Sequence, residues 1–448
     1  MSFSRYPKYK DSGVEWLGKV PEHWVTPPLY LRYASDLGKM LDTSRINGDH
    51  LTKYLRNVDV QWGAINFDEL PEMDIEQSEF PRYTIKSGDL LVCEGGEVGR
   101  TAIVPTFVGV IGFQKALHRL RALSHDEHPV FMFHCLRWAA EHGVFDVSGV
   151  STIAHLTGEQ LRKYRFPKPS GNEQAAIATF LDREAAKIDA LVTVQLQLMD
   201  LLKEKRQAVI SHAVTKGINP DVPMKPSGVE WLGDVPAHWN VIALKRIADV
   251  NTGVAKGKDN GTRATISVPY LRVANVQDGY LDLESVATID IPAEDLDRYR
   301  LKAGDVLMNE GGDFDKLGRG HVWDGQIDPC ITQNHVFAVR PREVPSEWLN
   351  AITGSDYAQF YFMTRSKQST NLASISSKNL MELPVVLPPI DDQQRVLAFI
   401  TEQTSRFDGL FVEAQRAIDL LQERRTALIS AAVTGQIDVR SYAERKAA

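Results

Sequence analysis

Two stretches of this chain repeat apolar residues at helical spacing. Between Glu173 and Thr215 there is neither proline nor glycine, and Ile177, Leu181, Ile188, Leu191, Leu198, Leu202 and Val209 recur at intervals of three, four and seven. A second stripe, Val396, Ile400, Phe407, Leu410, Ala417, Leu421 and Leu428, follows in the same order. "PSGN" and "PPID" mark the helix starts, and "TKG" and "TGQ" mark their ends. Each stripe predicts a helix of about 42 residues, ~63 Å long at ~1.5 Å per residue. A stripe with a period near seven requires a matching stripe opposite it, and each helix finds one in the other. An antiparallel hairpin is the simplest arrangement; packing of each helix on its own domain is the alternative.

The segments before each helix have a different pattern. "TIKSGDLLVCEGG" and "RLKAGDVLMNEGG" place Gly-Asp turn signals ahead of short apolar, β-like runs. They predict α+β or α/β domains with twisted sheets.

These segments are two copies of one unit. "SGVEWLG" stands at residues 12–18 and recurs letter for letter at 227–233, each time followed by Val-Pro and His-Trp. "YLRNVDVQWGAINF" pairs with "YLRVANVQDGYLDL", and "FQKALHRLRA" with "TQNHVFAVRP". A repeat this long means duplicated domains rather than a solenoid. The expected plan is a globular domain over 1–170, a helix over 171–216, a second domain over 217–389, a helix over 390–436 and a tail over 437–448. A pseudo-two-fold axis would relate the halves, with the domains at opposite ends of a rod. Trp16, Trp24, Trp231 and Trp239 fit core anchors better than stacking platforms.

At 448 residues, 43% hydrophobic and 24% charged, the composition is that of an ordinary globular protein. No apolar run reaches membrane-spanning length, and "MSFSRYPKYK" lacks a secretory core, so a cytoplasmic protein without membrane association is expected. Cys93, Cys135 and Cys330 are too far apart for a disulfide framework or a zinc site. A formal net charge of −7 means that any nucleic-acid contact must come from local basic patches.

Catalytic patterns are missing. No phosphate-binding Gly-Lys-Ser/Thr loop occurs, and "PPLY" at 27–30 follows Thr26 rather than the Asn or Asp that adenine or cytosine methylation needs. The histidines between His118 and His155 lack metal-ligand spacing.

The duplicated Ser-Gly-Val-Glu-Trp-Leu-Gly opening, the Gly-Asp…Glu-Gly-Gly core and the helices closed by Ala-Val-Thr resemble the specificity (S) subunits of type I restriction–modification systems. The resemblance covers almost the whole chain. It implies two target-recognition domains, each reading one half of a split, asymmetric site in double-stranded DNA, and a coiled-coil spacer that sets the gap. It further implies docking of two methyltransferase (M) subunits, with motor-nuclease (R) subunits in the full complex. S-adenosylmethionine, ATP and magnesium would belong to those partners, and this chain would have no cofactor and no catalysis of its own. The competing expectations are a coiled-coil scaffold binding proteins through its globular ends and a self-sufficient methyltransferase or nuclease.

Base readout needs directional donors and acceptors. Arg56 and Arg272 follow matching Tyr-Leu pairs and suit a phosphate contact or, equally, an ion pair within the fold. Gln114 and Lys115 pair with Gln333 and Asn334, suited to DNA or to turn capping. Lys316 and Arg319 lie in the insertion of the second copy, and Lys53, Lys256, Lys258 and Arg263 in polar stretches. Half-site sequences should be read where the copies differ most. Ile177, Leu181, Ile188, Leu191, Leu198, Leu202, Val396, Ile400, Phe407, Leu410, Leu421 and Leu428 are expected in the coil or on its partner interface.

Overall fold

The structure, a computed structural model, describes residues 3–41, 48–145, 155–257, 261–312, 314, 317–369 and 372–444. It divides into two compact units, residues 1–195 with 416–448, and residues 196–415. Each unit therefore combines one α+β domain with parts of both long helices. Among the described residues, no helix is long and apolar enough to cross a membrane.

The two domains share one topology. The central sheet of the first has the strand order Tyr33–Leu37, Leu117–Ala122, Leu90–Cys93, Thr101–Ile103, antiparallel throughout. That of the second has the order Ala248–Thr252, Val336–Pro341, Asp305–Asn309, Gly320–Trp323. A three-stranded sheet accompanies each, with one parallel pairing, Gly112–Phe113 on Leu51–Leu55 and Ile331–Thr332 on Thr265–Leu271.

The unbroken apolar run "LLVC" follows from burial on both faces of the strand. Leu90 and Val92 point into a core with the helix Pro129–Glu141, whereas Leu91 and Cys93 point into a second core with Leu55 and Phe113. Val306 and Met308 alternate with Leu307 in the same way. A strand covered on both sides has no polar face to show in its sequence.

The long helices span Gly171–Lys216 and Ile390–Val433. They run antiparallel within each unit. In the second, Arg206 Nε lies 3.8 Å from Asp408 Oδ1 and the Lys203 ammonium sits 5.7 Å from the Phe411 ring centre. Three residues back on one helix thus meet three residues forward on the other. In the first unit, Asp189 accepts from Arg425 Nη1 at 2.6 Å.

Most of the expected seam residues are buried: Ile177, Leu181, Ile188, Leu202, Val396, Ile400, Phe407 and Leu428, with Leu421 partly so. Leu191, Leu198 and Leu410 lie off the seam, at 50%, 41% and 51% exposure, on the outer face of the helices. The alternating three-and-four spacing runs instead from Ile188 through Val192, Gln195 and Met199 to Leu202, and from Phe407 through Phe411, Ala414 and Ile418 to Leu421. Each of the three leucines is one position outside it, which turns it about 100° toward solvent.

At the start of each long helix the repeated His-Trp pair clasps an acidic residue. Glu173 accepts from Trp24 Nε1 at 3.1 Å, His23 Nε2 at 2.9 Å and the Tyr6 hydroxyl at 2.8 Å. Asp392 accepts from Trp239 Nε1 at 2.9 Å and His238 Nε2 at 2.7 Å. A carboxylate in the first helical turn also faces the positive end of the helix dipole.

The helix ends dock on the same segments. Gly217 and Gly435, at φ of +78° and +74°, end the helices in the left-handed conformation. A Cβ on Gly217 would lie 3.3 Å from the Trp239 ring, and one on Gly435 would lie 2.3 Å from Pro21 Cδ. The end of the second helix thus meets the beginning of the chain, within the first unit. Asp438 N–H donates to Ser4 O at 2.8 Å, and Tyr9 Oη donates to Gly435 O at 3.0 Å. The tail is not a loose appendage, because Val439 is fully buried and the Tyr442 ring packs on Phe180 and Phe3.

Of the four tryptophans, Trp24 and Trp239 are core residues and Trp16 packs half-buried on Trp138 and Phe166. Trp231 departs from the expectation, at 37% exposure beside the exposed Phe360.

Candidate nucleic-acid interface

The repeated Gly-Asp signal anchors one end of each central sheet. Asp89 takes a two-pronged hydrogen bond from Arg121 at 2.8 and 2.6 Å and caps Lys86 N–H at 2.7 Å. Asp305 does the same for Arg340, at 2.7 Å twice, and for Lys302 N–H at 2.8 Å. The strands that leave these anchors end at the two Glu-Gly-Gly turns.

At that opposite end several segments converge. Glu94 N–H donates to Ala116 O at 3.0 Å, and Glu94 O accepts from Leu156 N–H at 2.7 Å. In the second domain Glu310 N–H donates to His335 O, and Ile375 N–H to Glu310 O, each at 2.9 Å. The turn before Leu117–Ala122, and its copy before Val336–Pro341, is pinned from the other side. Lys115 N–H donates to Lys39 O at 3.0 Å, and Asn334 N–H to Val254 O at 3.1 Å. Backbones approach so closely that a Cβ on Gly38 would lie 2.3 Å from Gln114 O, and one on Gly253 1.9 Å from Thr332 O. Only glycine fits there. The result in each domain is a fixed turn with polar side chains at a loop-lined end of the sheet.

The structure gathers some of the candidate residues at this place. Gln114 and Gln333 are half-buried at matching parallel bridges to Lys39 and Val254. Lys115 is exposed beside the first, and Asn334 is half-buried beside the second. Arg319 hydrogen-bonds Gln277 Oε1 close by, as its counterpart Arg100 bonds Asn57 O at 3.0 Å and Asn57 Oδ1 at 2.8 Å.

Other candidates are engaged in the fold. Arg56 forms a two-pronged pair with the buried Asp59, at 2.9 and 2.7 Å, so its ion-pair reading holds. In the second copy Asn275 replaces that aspartate and caps Arg272 N–H at 2.9 Å, while Arg272 Nη2 reaches Ser285 O at 3.4 Å. Arg263 pairs with Glu294 at 3.5 Å and Asp295 at 3.6 Å. Lys53 is exposed and stands opposite Glu72 in the strand register, and Lys256 is exposed. Lys258 and Lys316 lie outside the described residues.

Two features went unread in the sequence. The Asn57–Arg100 contact joins residues 43 apart, and no local pattern announces it. In the second domain, Glu310 and His335 are hydrogen-bonded at 3.0 Å; the only signal was the histidine after Gln333-Asn334.

Comparison with known proteins agrees with this architecture. The sequence profile of the type I restriction modification DNA specificity domain matches residues 64–197 and 236–408. The chain is 24% identical to the StySPI specificity subunit of Salmonella potsdam over 445 residues, 95% of this chain and 92% of that protein. It is 23% identical over 201 residues to the MjaX specificity subunit of Methanocaldococcus jannaschii, 44% of this chain, and spans only 46% of that protein. A solved chain from work on complex assembly and conformational transition of the type I R-M system has the same fold, with a TM-score of 0.66 and 16% identity over 92% of this chain and 98% of that one. Twofold topology, paired turns and profile coincide, and the chain belongs to the type I restriction modification DNA specificity family.

Proposed function

We propose that this chain selects the DNA site for a type I restriction–modification complex and performs no catalysis itself. Each domain reads one half of a split, asymmetric duplex site. The observation that carries this reading is the twice-built turn, with identical backbone anchoring and different side chains, Lys115 in one copy and Asn334 in the other. A common scaffold with exchanged polar groups suits two different base sequences.

The long helices set the spacing between the half-sites and dock two M subunits. Exposed apolar residues that the seam leaves unused support docking there, Leu191 and Val194 in the first unit and Leu198, Leu201 and Leu410 in the second. S-adenosylmethionine, ATP and magnesium belong to the M and R partners, in the cytoplasm.

The test is to exchange residues 26–165 for the equivalent stretch of a relative, in the assembled complex, and map methylated adenines genome-wide. One half-site should change while the other half and the spacer persist. Change in both halves would refute the division of labour.

A further inference from the structure

In the second domain three side chains form a hydrogen-bonded series at the pinned turn. Glu310 Oε2 lies 3.0 Å from His335 Nδ1, and His335 Nε2 lies 3.3 Å from Asn334 Nδ2. Their chemistry fixes the orientation of each. An ionised carboxylate only accepts, so Nδ1 carries the proton. Nε2 faces the Asn334 amide nitrogen, which is a donor only, and so accepts from it at 3.3 Å, while the amide oxygen is turned away. One N–H of Asn334 is thereby used. Its other N–H and its Oδ1 have no partner among the described residues.

The backbone is held equally firmly. Asn334 N–H is bonded to Val254 O, His335 O to Glu310 N–H, and Glu310 O to Ile375 N–H. These three partners adjoin segments in which the two copies diverge, including the second copy's three-residue insertion. The matching turn of the first domain carries Lys115 and Ala116. It has neither the amide nor the imidazole, so this series belongs to the second domain alone.

A free N–H beside a free Oδ1 on one planar amide is the complement of adenine in the major groove. There adenine presents the N7 acceptor next to the N6 donor. We propose that Asn334 is a specificity-determining residue that reads one adenine in the half-site of the second domain, with His335 and Glu310 as positioning residues. This rests on the DNA-recognition reading above and assigns one base contact within it.

The test uses the full chain in its assembled complex. The wild-type site is first mapped from genomic methylation. Duplexes are then made in which each adenine of one half-site in turn is replaced by 7-deazaadenine, which lacks the N7 acceptor. One replacement should weaken binding by about fivefold or more. In cells, Asn334→Ala should relax that one base position, leaving the other half-site and the spacer unchanged. His335→Ala and Glu310→Gln should relax the same position more weakly, which a merely structural role would not do. Undiminished affinity for every 7-deaza duplex, or an unchanged methylation site in Asn334→Ala, overturns the assignment while leaving a bipartite reader in place. If wild-type methylation is not bipartite at all, the functional reading itself falls. Loss of all modification in Asn334→Ala leaves the decision to the 7-deaza series on the wild-type protein.

Discussion

Trp24 and Glu173 are separated by 149 residues in sequence, and the indole N–H donates to the carboxylate at 3.1 Å. Trp239 and Asp392, 153 residues apart, repeat the bond at 2.9 Å. The bond ties the repeated opening motif to the first turn of the long helix, so the motif and the helix form one joint.

Burial works to raise the Asp392 pKa, but hydrogen bonds from Trp239, His238 and Arg395 outweigh it and hold the carboxyl at about 2. The unfolded value is about 3.9. A depressed folded pKa stabilises above the unfolded value and loses that contribution as pH falls through the folded one. Asp392→Asn should therefore lower the melting temperature at neutral pH. The difference from wild type should shrink between about pH 4 and pH 2. Thermal unfolding across that range checks it; a constant difference would mean that the charge is not the source.

Arg32 and Glu127 form a pair with side chains 1% and 0% exposed, at 3.0 and 2.6 Å. Ile247 takes the place of Arg32 in the second domain, within an apolar core that includes Val344. Arg32→Met leaves the buried carboxylate with Lys168 Nζ, at 2.9 Å, and strips the Phe166 and Pro167 carbonyls of a donor, and should cost about 3 kcal/mol. Arg32→Ile with Glu127→Val should recover more than half of that. Urea unfolding of both variants decides it.

Gly409 lies in the second long helix with nothing within 4 Å of an added Cβ. Gly409→Ala should stabilise by up to about 1 kcal/mol. Gly435→Ala should destabilise by more, since it meets both the φ of +74° and the Pro21 ring at 2.3 Å. Opposite signs in calorimetry are the expected outcome.

The Asp189–Arg425 pair fixes which points of the helices face each other. The link after Val194 is opposite the link after Asp419. Heptads inserted at both points keep the seam in phase and add ~10 Å of helix, equivalent to ~3 base pairs of duplex. Methylation mapping should find unchanged half-sites with a spacer longer by one to about three base pairs.

Large periodic features were legible in sequence. The stripe from Ile177 and its copy from Val396 foretold both helices, because a two-sided seam repeats every seven residues. The run "LLVC" announced a strand but not its two cores, since alternation disappears when both faces are buried. Leucine spacing alone did not separate the seam from the outer face, because Gln195 and Ala414 occupy the seam while Leu191, Leu198 and Leu410 face outward. At the candidate interface, Arg56 could be read either way until Asp59 was seen to hold it. The Glu310–His335–Asn334 series depends on a turn closing over residues 25 apart, and such closure leaves no periodic trace.

The joining of the last residues to the first has a consequence for the order of synthesis. Leu428, Ile429, Ala432, Val433 and Val439 belong to the same core as Val20, Trp24 and Phe131. A ribosome translating this chain makes the whole recognition domain at the N-terminus long before it makes the piece that completes that domain's interior. The second domain has both of its helical segments once residue 415 has been made. The half of the protein that is translated first is thus the last to be finished, and a message cut short yields a first domain with its core open to water.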